Sequence, residues 1–468
     1  MALFTLQFVD AVSGSANLRL DLNDQVTWMV SDGTTFEAPR LRRAVSATMM
    51  LDGAHVAASA YEPRKLTIVL QLAPLSLDNS ATAVQNLSRE LDRELNILKY
   101  KPGTTSAVYF RVKRSDFTDL TFNEASRRAT IELYAEPFAY GEQQTVNGVV
   151  RYDPANATNP QYLDVASLKG DVPTPVIFAP DDAIAAAQSV IATWRRPNLS
   201  GVDDLTSLVH FVQAENALVT LGTDAALQAV TGFSGSGSNG VRVSFATNAT
   251  MVMRMSGNWP TSGAGTRGRW RVFVRLKKNT AGDVFFLKFR MGASSTNIYI
   301  GGTVSTATTA TTNITMVDLG LFSTPYGAHP IFDGASGTRM GTSAAYWELH
   351  ASRQSGAGTL DIDYIVFIPA DDQFGIISWG STTGATLARF AWDGYNRVVY
   401  GRLSNGNVFQ KTPASIVGNG ALHLSPGVTN RIYFIPDVTP AAQFTNSDTL
   451  DIDIYYYPRY LYVRPVST

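Results

Sequence analysis

Apolar and polar positions along the first 140 residues change period and change back. Leu66, Ile68, Leu70 and Leu72 recur at every second position, the spacing of a strand with one buried face. Glu62-Pro63-Arg64 leads into this strand. Before it, Met49–Val56 contains Asp52-Gly53, whose tolerance of positive φ suits a tight hairpin turn. From Ser80 to Tyr100 the period lengthens. Val84, Leu87, Leu91, Leu95 and Leu98 follow one another at spacings of three and four, which predicts one stripe of an α-helix. Ser80 or Thr82 is placed to cap its start, and Lys101-Pro102-Gly103 to end it. Arg89, Glu90, Asp92, Arg93 and Glu94 then form its outer face. Burying each aliphatic side chain of the stripe is worth roughly 1.5–3 kcal/mol, so the helix is expected to dock on a sheet. The strand period returns in Val108–Val112 and in Ala129–Phe138.

Beyond residue 141 a Pro- and Asn-rich passage, with Asp153-Pro154 and Val172-Pro173-Thr174-Pro175, punctuates the chain and reads as a domain junction. Short strands follow, parted by Gly, Ser and Thr. They include Val241–Phe245, Arg269–Arg275, Asp283–Met291, Tyr346–His350 and Thr359–Ile368, with Ser234–Gly240 as a flexible loop. Strands at this spacing predict a β-sandwich. Residues from about 373 onward are again all-β, and both stretches end on a strand containing Leu-Asp-Ile-Asp, at Leu360–Asp363 and Leu450–Asp453. The expected fold class is mainly β: an N-terminal β-sandwich with one helix, followed by β-sandwich or jelly-roll domains.

Composition narrows the function classes. The 468 residues are 45% hydrophobic and 16% charged, enough for several domains with cores of their own. A net charge of −1 argues against specific nucleic-acid binding, which needs concentrated Lys and Arg. With no cysteine there is neither a disulfide framework nor a thiolate metal site. No secretion signal opens the sequence, and no apolar run is long enough for a membrane span. These features fit a product made in the cytoplasm that works elsewhere, as virion parts do, and fit an ordinary cytoplasmic protein equally well.

The order of the N-terminal signals resembles the distal tail protein family of long-tailed, non-contractile phages. The carriers are the Asp52-Gly53 hairpin, the Glu62-Pro63-Arg64 lead into a strand, the single helix and the Ala135-Glu136-Pro137-Phe138 ending. Asp171–Pro175 resembles the opening of that family's C-terminal sandwich, and Leu424–Ile432 with Tyr457–Leu461 resembles its end. The resemblance implies a ring-forming β domain with one helix over residues 1–148. It further implies a discontinuous C-terminal sandwich from 149–199 and 373–468, with 200–372 inserted. The insert resembles a galactose-binding-like jelly roll of the kind found in carbohydrate-binding modules, on Trp270–Arg275, Asp318-Leu319-Gly320 and Leu360–Ile365. By resemblance the chain would form a hexameric ring at the tail tip, between tail tube protein and tail-tip hub protein, with the tape-measure protein passing through. A host cell-surface glycan is the partner implied for the insert. The first rival expectation is a trimeric receptor-binding or carbohydrate-binding tail protein, and the second is a glycan-cleaving enzyme.

Candidate chemistry is sparse. None of the five histidines is followed by Glu, no Gly-Lys pair exists, and no Gly-x-Ser-x-Gly elbow occurs, so zinc-protease, phosphate-loop and serine-hydrolase motifs are all missing. No catalytic residues and no cofactor are expected. Asp361 and Asp363 lie two apart on a strand, which places both carboxylates on one face, opposite Ile362 and Tyr364. They are candidate ligands for a structural Ca²⁺, an ion that takes oxygen donors; the alternative is a solvent-facing pair. Trp259 and Tyr299 are candidates for stacking on sugar rings, whereas Trp270 and Trp347 sit in strand patterns that suit a core. The tyrosines from Tyr455 to Tyr462 suit a strand face or a contact between subunits.

Overall fold

The computed structural model describes residues 4–47, 54–74, 76–103, 105–122, 127–151, 162–180, 187–195, 209–216, 218–230, 233, 239–246, 250–258, 268–280, 282–294, 297–307, 314–324, 346–354, 356–369, 374–380, 387–396, 398–403, 408–411, 415–417, 423–438 and 449–463. The Asp52-Gly53 turn lies outside them. The chain is mainly β, with one helix among the described residues.

The first strands are β1 (Phe4–Val9), β2 (Leu18–Asp21), β3 (Trp28–Val30), β4 (Thr35–Phe36), β5 (Leu41–Ala47), β6 (Ala54–Tyr61) and β7 (Arg64–Leu72). Helix α1 (Leu77–Leu91) precedes β8 (Leu95–Pro102), β9 (Val108–Lys113), β10 (Asp116–Phe122), β11 (Arg127–Ala135) and β12 (Ala139–Tyr140). Next come β13 (Gln144–Arg151), β14 (Tyr162–Val165), β15 (Thr174–Pro180) and β16 (Ala187–Arg195). A middle set follows: β17 (His210–Gln213), β18 (Val219–Leu221), β19 (Ala225–Ala229), β20 (Asn239–Phe245), β21 (Val252–Asn258) and β22 (Gly268–Lys278). It continues with β23 (Phe285–Ser294), β24 (Asn297–Ala307), β25 (Ile314–Thr324), β26 (Tyr346–Arg353) and β27 (Gly358–Pro369). The last strands are β28 (Phe374–Gly380), β29 (Leu387–Asp393), β30 (Val398–Leu403), β31 (Val408–Lys411), β32 (Ser415–Val417), β33 (His423–Leu424), β34 (Asn430–Val438), β35 (Thr449–Tyr456) and β36 (Arg459–Tyr460).

Two compact units divide the chain. The first takes Met1–Thr145, Leu168–Thr174 and Tyr455–Thr468. Its main sheet runs β2-β1-β8-β9-β11-β7-β3, with β10 on β11, β4 on β7, and β12 joining β9 to β36. Leu6, Phe8, Leu66, Ile68, Leu70, Phe110, Ile131 and Leu133 make a dry core, against which α1 packs Ala83, Leu87 and Leu91. Helix α1 is shorter than its sequence period suggests. The Ser76 hydroxyl accepts the Asn79 N–H and caps the start, in place of Ser80 or Thr82, as short hydroxyl side chains do. At the other end the Asn96 amide donates to the Glu90 carbonyl at 2.9 Å, and Glu90 is itself buried. Leu95 and Leu98 therefore fall on β8, where Leu98 pairs with Phe8 on one side and Phe110 on the other. Two-sided sheet pairing outweighs the helical period there, and Leu95 is left 58% exposed.

Arg64 closes this core. Almost wholly buried, it donates to the carbonyls of Pro137 (2.9 Å) and Leu461 (2.8 Å) and lies over the Phe110 ring at 5.4 Å. Burial pushes its pKa down to about 10. Hairpin β5–β6 stands apart: its strands pair with each other, Leu41 opposite Tyr61, and with no other strand among the described residues. Arg64→Ala removes a charged donor from buried carbonyls and should cost about 3 kcal/mol. Amide hydrogen exchange would show this as lost protection in β7 and β11, with β22 and β27 unchanged.

The second unit takes Val146–Ser167 and Pro175–Ile454. One pair of sheets, β13-β35-β15-β29-β30-β31 with β33, and β14-β34-β16-β28-β32, draws its strands from both ends of that unit. Strands β17–β27 form another pair. We call these the outer and the middle sandwich. Arg195, the last residue of β16, pairs with Phe374, the first of β28, so residues 196–373 leave and return at one point. The middle core holds Val241, Val243, Trp270, Val272, Phe289, Trp347, Leu349 and Phe367. His210 packs against Trp270 with ring centroids 5.6 Å apart, and burial pushes its pKa down to about 4.

In the unfolded chain a histidine titrates near 6.5. Below that pH the unfolded state gains a proton that the folded state refuses until about pH 4. The His210 contribution is therefore complete above pH 6.5 and is lost as the pH falls towards 4, by roughly 3 kcal/mol at most. Urea unfolding at pH 7 and pH 4.5 should show this slope, and His210→Phe should flatten it.

Candidate functional site

The middle sandwich presents two outward faces with opposite character. The first belongs to the sheet β19-β20-β27-β22-β25, with β17 also on β27. In β27, Leu360, Ile362, Ile365 and Phe367 enter the core, whereas Tyr364, Val366 and Ile368 join Phe273 in a separate dry cluster. The parity change comes from a bulge. Arg275 pairs with Tyr364 while Leu276 pairs with Ile362, which leaves Asp363 as the extra residue.

Asp361 and Asp363 do share the face opposite Ile362, but Tyr364 lies on their side of the strand. Neither carboxylate faces solvent, and both are fully buried. Arg242 grips Asp361 through two bonds, at 2.7 and 2.9 Å, and Asn279 adds a third at 2.9 Å. Arg275, equally buried, pairs with Asp363. The Asp361 bond raises the pKa of Arg242 further. Carboxylates removed from water need a compensating charge, and arginine supplies it where a calcium ion was expected. Among the described residues no group of three or more His, Asp or Glu could hold a metal. Asp318-Leu319-Gly320 is a second bulge: Leu319 turns into the core, Gly320 takes φ +107°, and its N–H reaches the Asp318 carboxylate at 2.9 Å. Asp318 also receives Arg271 at 2.9 Å.

The second face belongs to the sheet β18-β21-β26-β23-β24. Trp347, Leu349 and Ala351 point inward from β26, so Tyr346, Glu348, His350 and Ser352 point outward. Register sets Glu348 between Ser256 on β21 and Arg290 on β23, and His350 between Met253 and Lys288. The Glu348 carboxylate meets the His350 Nε2 at 2.7 Å and takes a longer bond, 3.5 Å, from Arg290. Ser256 is completely buried, and its hydroxyl has no hydrogen-bond partner. Tyr346, Lys288 and Arg290 stay half-exposed above this floor. A half-open row of donors, a carboxylate and a tyrosine suits a hydroxyl-rich ligand.

Trp259 lies outside the described residues. Tyr299 falls on edge strand β24 at a register break, between Ile298 opposite Gly292 and Ile300 opposite Met291. It therefore belongs to the sheet of Glu348 and Arg290, while the two aspartates belong to the other sheet. Trp270 and Trp347 are core residues, 2% and 1% exposed. Sequence reasoning missed Glu348, His350, Lys288 and Arg290. Their signal was the alternation Tyr-Trp-Glu-Leu-His in β26 and Phe-Leu-Lys-Phe-Arg in β23, which places polar groups on one face of each strand without saying that the strands are neighbours. Asp361→Asn should leave the one-third-exposed Arg242 beside a weaker acceptor and cost about 1–3 kcal/mol, less than a fully buried pair because solvent screens the arginine. Thermal melting should show that loss, with the wild-type midpoint unmoved by EDTA.

No family model matches the chain, and no curated protein matches it. Similar solved structures do exist. The Dit protein (gp 19.1) of phage SPP1, described as a paradigm of the hub adsorption apparatus in phages infecting Gram-positive hosts, is 9% identical. That likeness spans 98% of this chain and 99% of that one at a TM-score of 0.33. A chain of the phage p2 baseplate, in its activated conformation with Sr, is 8% identical over 78% of this chain and 98% of its own, at 0.23. The CBM22-1 and GH10 modules of Clostridium thermocellum endo-1,4-β-D-xylanase 10B are 16% identical over 33% of this chain and 26% of theirs, at 0.22. All three TM-scores lie below 0.5, so none of these likenesses decides function.

Proposed function

We propose that this chain is a structural, non-catalytic virion protein: the hexameric distal tail or baseplate ring that joins tail tube to tail tip in a phage with a long non-contractile tail. It assembles in the host cytoplasm and meets the tail tube protein, the tape-measure protein and the tail-tip hub protein. The observation that carries this reading is hairpin β5–β6. Two strands without a third are marginal in water, and both outer edges of this pair lack a partner within the described chain. A closed ring of identical copies covers such edges. The order of the N-terminal sequence signals supports the family.

The middle sandwich is read as an accessory, host-saccharide-binding insert. Its departure and return at Arg195 and Phe374 suit an addition at one exposed connection. A trimeric carbohydrate-binding tail protein is the second reading, favoured by the polar row around Glu348.

Light scattering with negative-stain imaging of the full chain tests the ring. Six-fold rings with a central hole are expected, and replacing residues 42–60 with a short Gly-Ser linker should abolish them while the melting curve persists. Trimers would overturn the ring in favour of the second reading.

A further inference from the structure

We infer that the outward face of β18-β21-β26-β23-β24 takes an anionic glycan, one whose repeating unit carries a carboxylate or a phosphate. This rests on the saccharide reading of the middle sandwich and narrows its ligand class.

The charge inventory of the sheet is lopsided. Its five strands contain one acid, Glu348, against Arg254, Lys288, Arg290 and Arg353. Two of these cations are committed elsewhere: Arg254 reaches Asp224 at 3.2 Å, and Arg353 reaches Asp283 at 2.5 Å. Lys288 and Arg290 remain, on alternate positions of β23 and hence on one face. Glu348 does not satisfy them, because its short bond goes to His350 and Arg290 holds it at 3.5 Å alone. Among the described residues Glu348 is the one ion-pair partner of Arg290, and Lys288 has none.

The surroundings favour capture of an oxyanion on a polyol. Arg290 pairs with Gly301 of β24, and Tyr346 with Gly292 of β23. Each large side chain thus has a neighbour without a Cβ, which leaves room beside it. Guanidinium and ammonium donors to a carboxylate or phosphate make the stronger class of hydrogen bond. Tyr346 to Ser352 spans about 20 Å along β26, long enough for several sugar units.

Affinity gel electrophoresis of the full-length protein tests this with polygalacturonate and phosphomannan, against neutral galactan and mannan. Retardation by at least one anionic polymer is expected, and which of the two retards identifies the acid. Lys288→Gln with Arg290→Gln should weaken it at least about tenfold, the loss expected from one charge-assisted bond. Lys288→Glu, a reversal at a half-exposed position, should do the same with an unchanged melting curve. Retardation by a neutral polymer alone would overturn the anionic assignment and leave the saccharide reading standing. Anionic retardation indifferent to both variants would overturn the site. No retardation by any of the four would remove both.

Discussion

The middle sandwich depends on a strand that is dry on both faces. A central strand of an antiparallel sandwich sheet ordinarily buries one face and hydrates the other. Strand β27 buries Leu360, Ile362, Ile365 and Phe367 on one side and Tyr364, Val366 and Ile368 on the other. Any charge on that second side must then be neutralised internally, and Asp361 and Asp363 are, by Arg242 and Arg275. Such pairs are weak evidence for added stability, because desolvation offsets most of the attraction. Their effect is on register. Asp363 is the bulged residue, and its arginine comes from β22, the strand across which the bulge occurs. The opposite sheet keeps Lys288 and the loosely held Arg290 on a half-open face.

The first unit has the complementary problem. Its main sheet is locked by a buried guanidinium that ties three distant segments together through backbone carbonyls. Hairpin β5–β6 lies outside that sheet, with both of its edges unpaired among the described residues. Leu41, Arg42 and Arg43 at its base are exposed, and charged side chains at a strand's start discourage indiscriminate edge pairing without preventing a specific one. A two-stranded ribbon without a third strand is the feature on which the proposed ring rests.

Much of the architecture was legible in the chain. Period-two runs announced β7, β9, β11, β22 and β27, and the α-period announced the single helix. The reading failed where long-range pairing overruled local pattern. Leu95 and Leu98 extend the helical stripe in sequence, yet β1 and β9 claim them for β8. The two Leu-Asp-Ile-Asp strands show the limit most sharply. In β35, Ile452 and Ile454 are buried while Asp451 is exposed and Asp453 half-buried, which is the plain alternation. In β27 the same four letters have both aspartates buried, each held by an arginine from a neighbouring strand. No local property of the motif separates the two cases. The candidate site failed for a related reason: Glu348 and Arg290 lie far apart in sequence and become neighbours through the β23–β26 register alone.

The connection between the two sandwiches follows from two matched pairings. In the outer sandwich Arg195 sits opposite Phe374. In the middle one the first strand, β17, pairs with the last, β27, and sets His210 opposite Phe367. Both ends of the middle sandwich therefore lie side by side, as do the two points of the outer sandwich from which they spring. A folded body whose termini are adjacent closes the connecting loop without the entropy cost of bringing distant chain ends together. Strand β16 is held along its other side by β34, from Ala187 opposite Val438 to Trp194 opposite Ile432. The register of the outer sheet is thus fixed without reference to what lies between residues 195 and 374. Under this arrangement the middle sandwich is free to change its hydrated face while the outer sandwich keeps its own pairing intact.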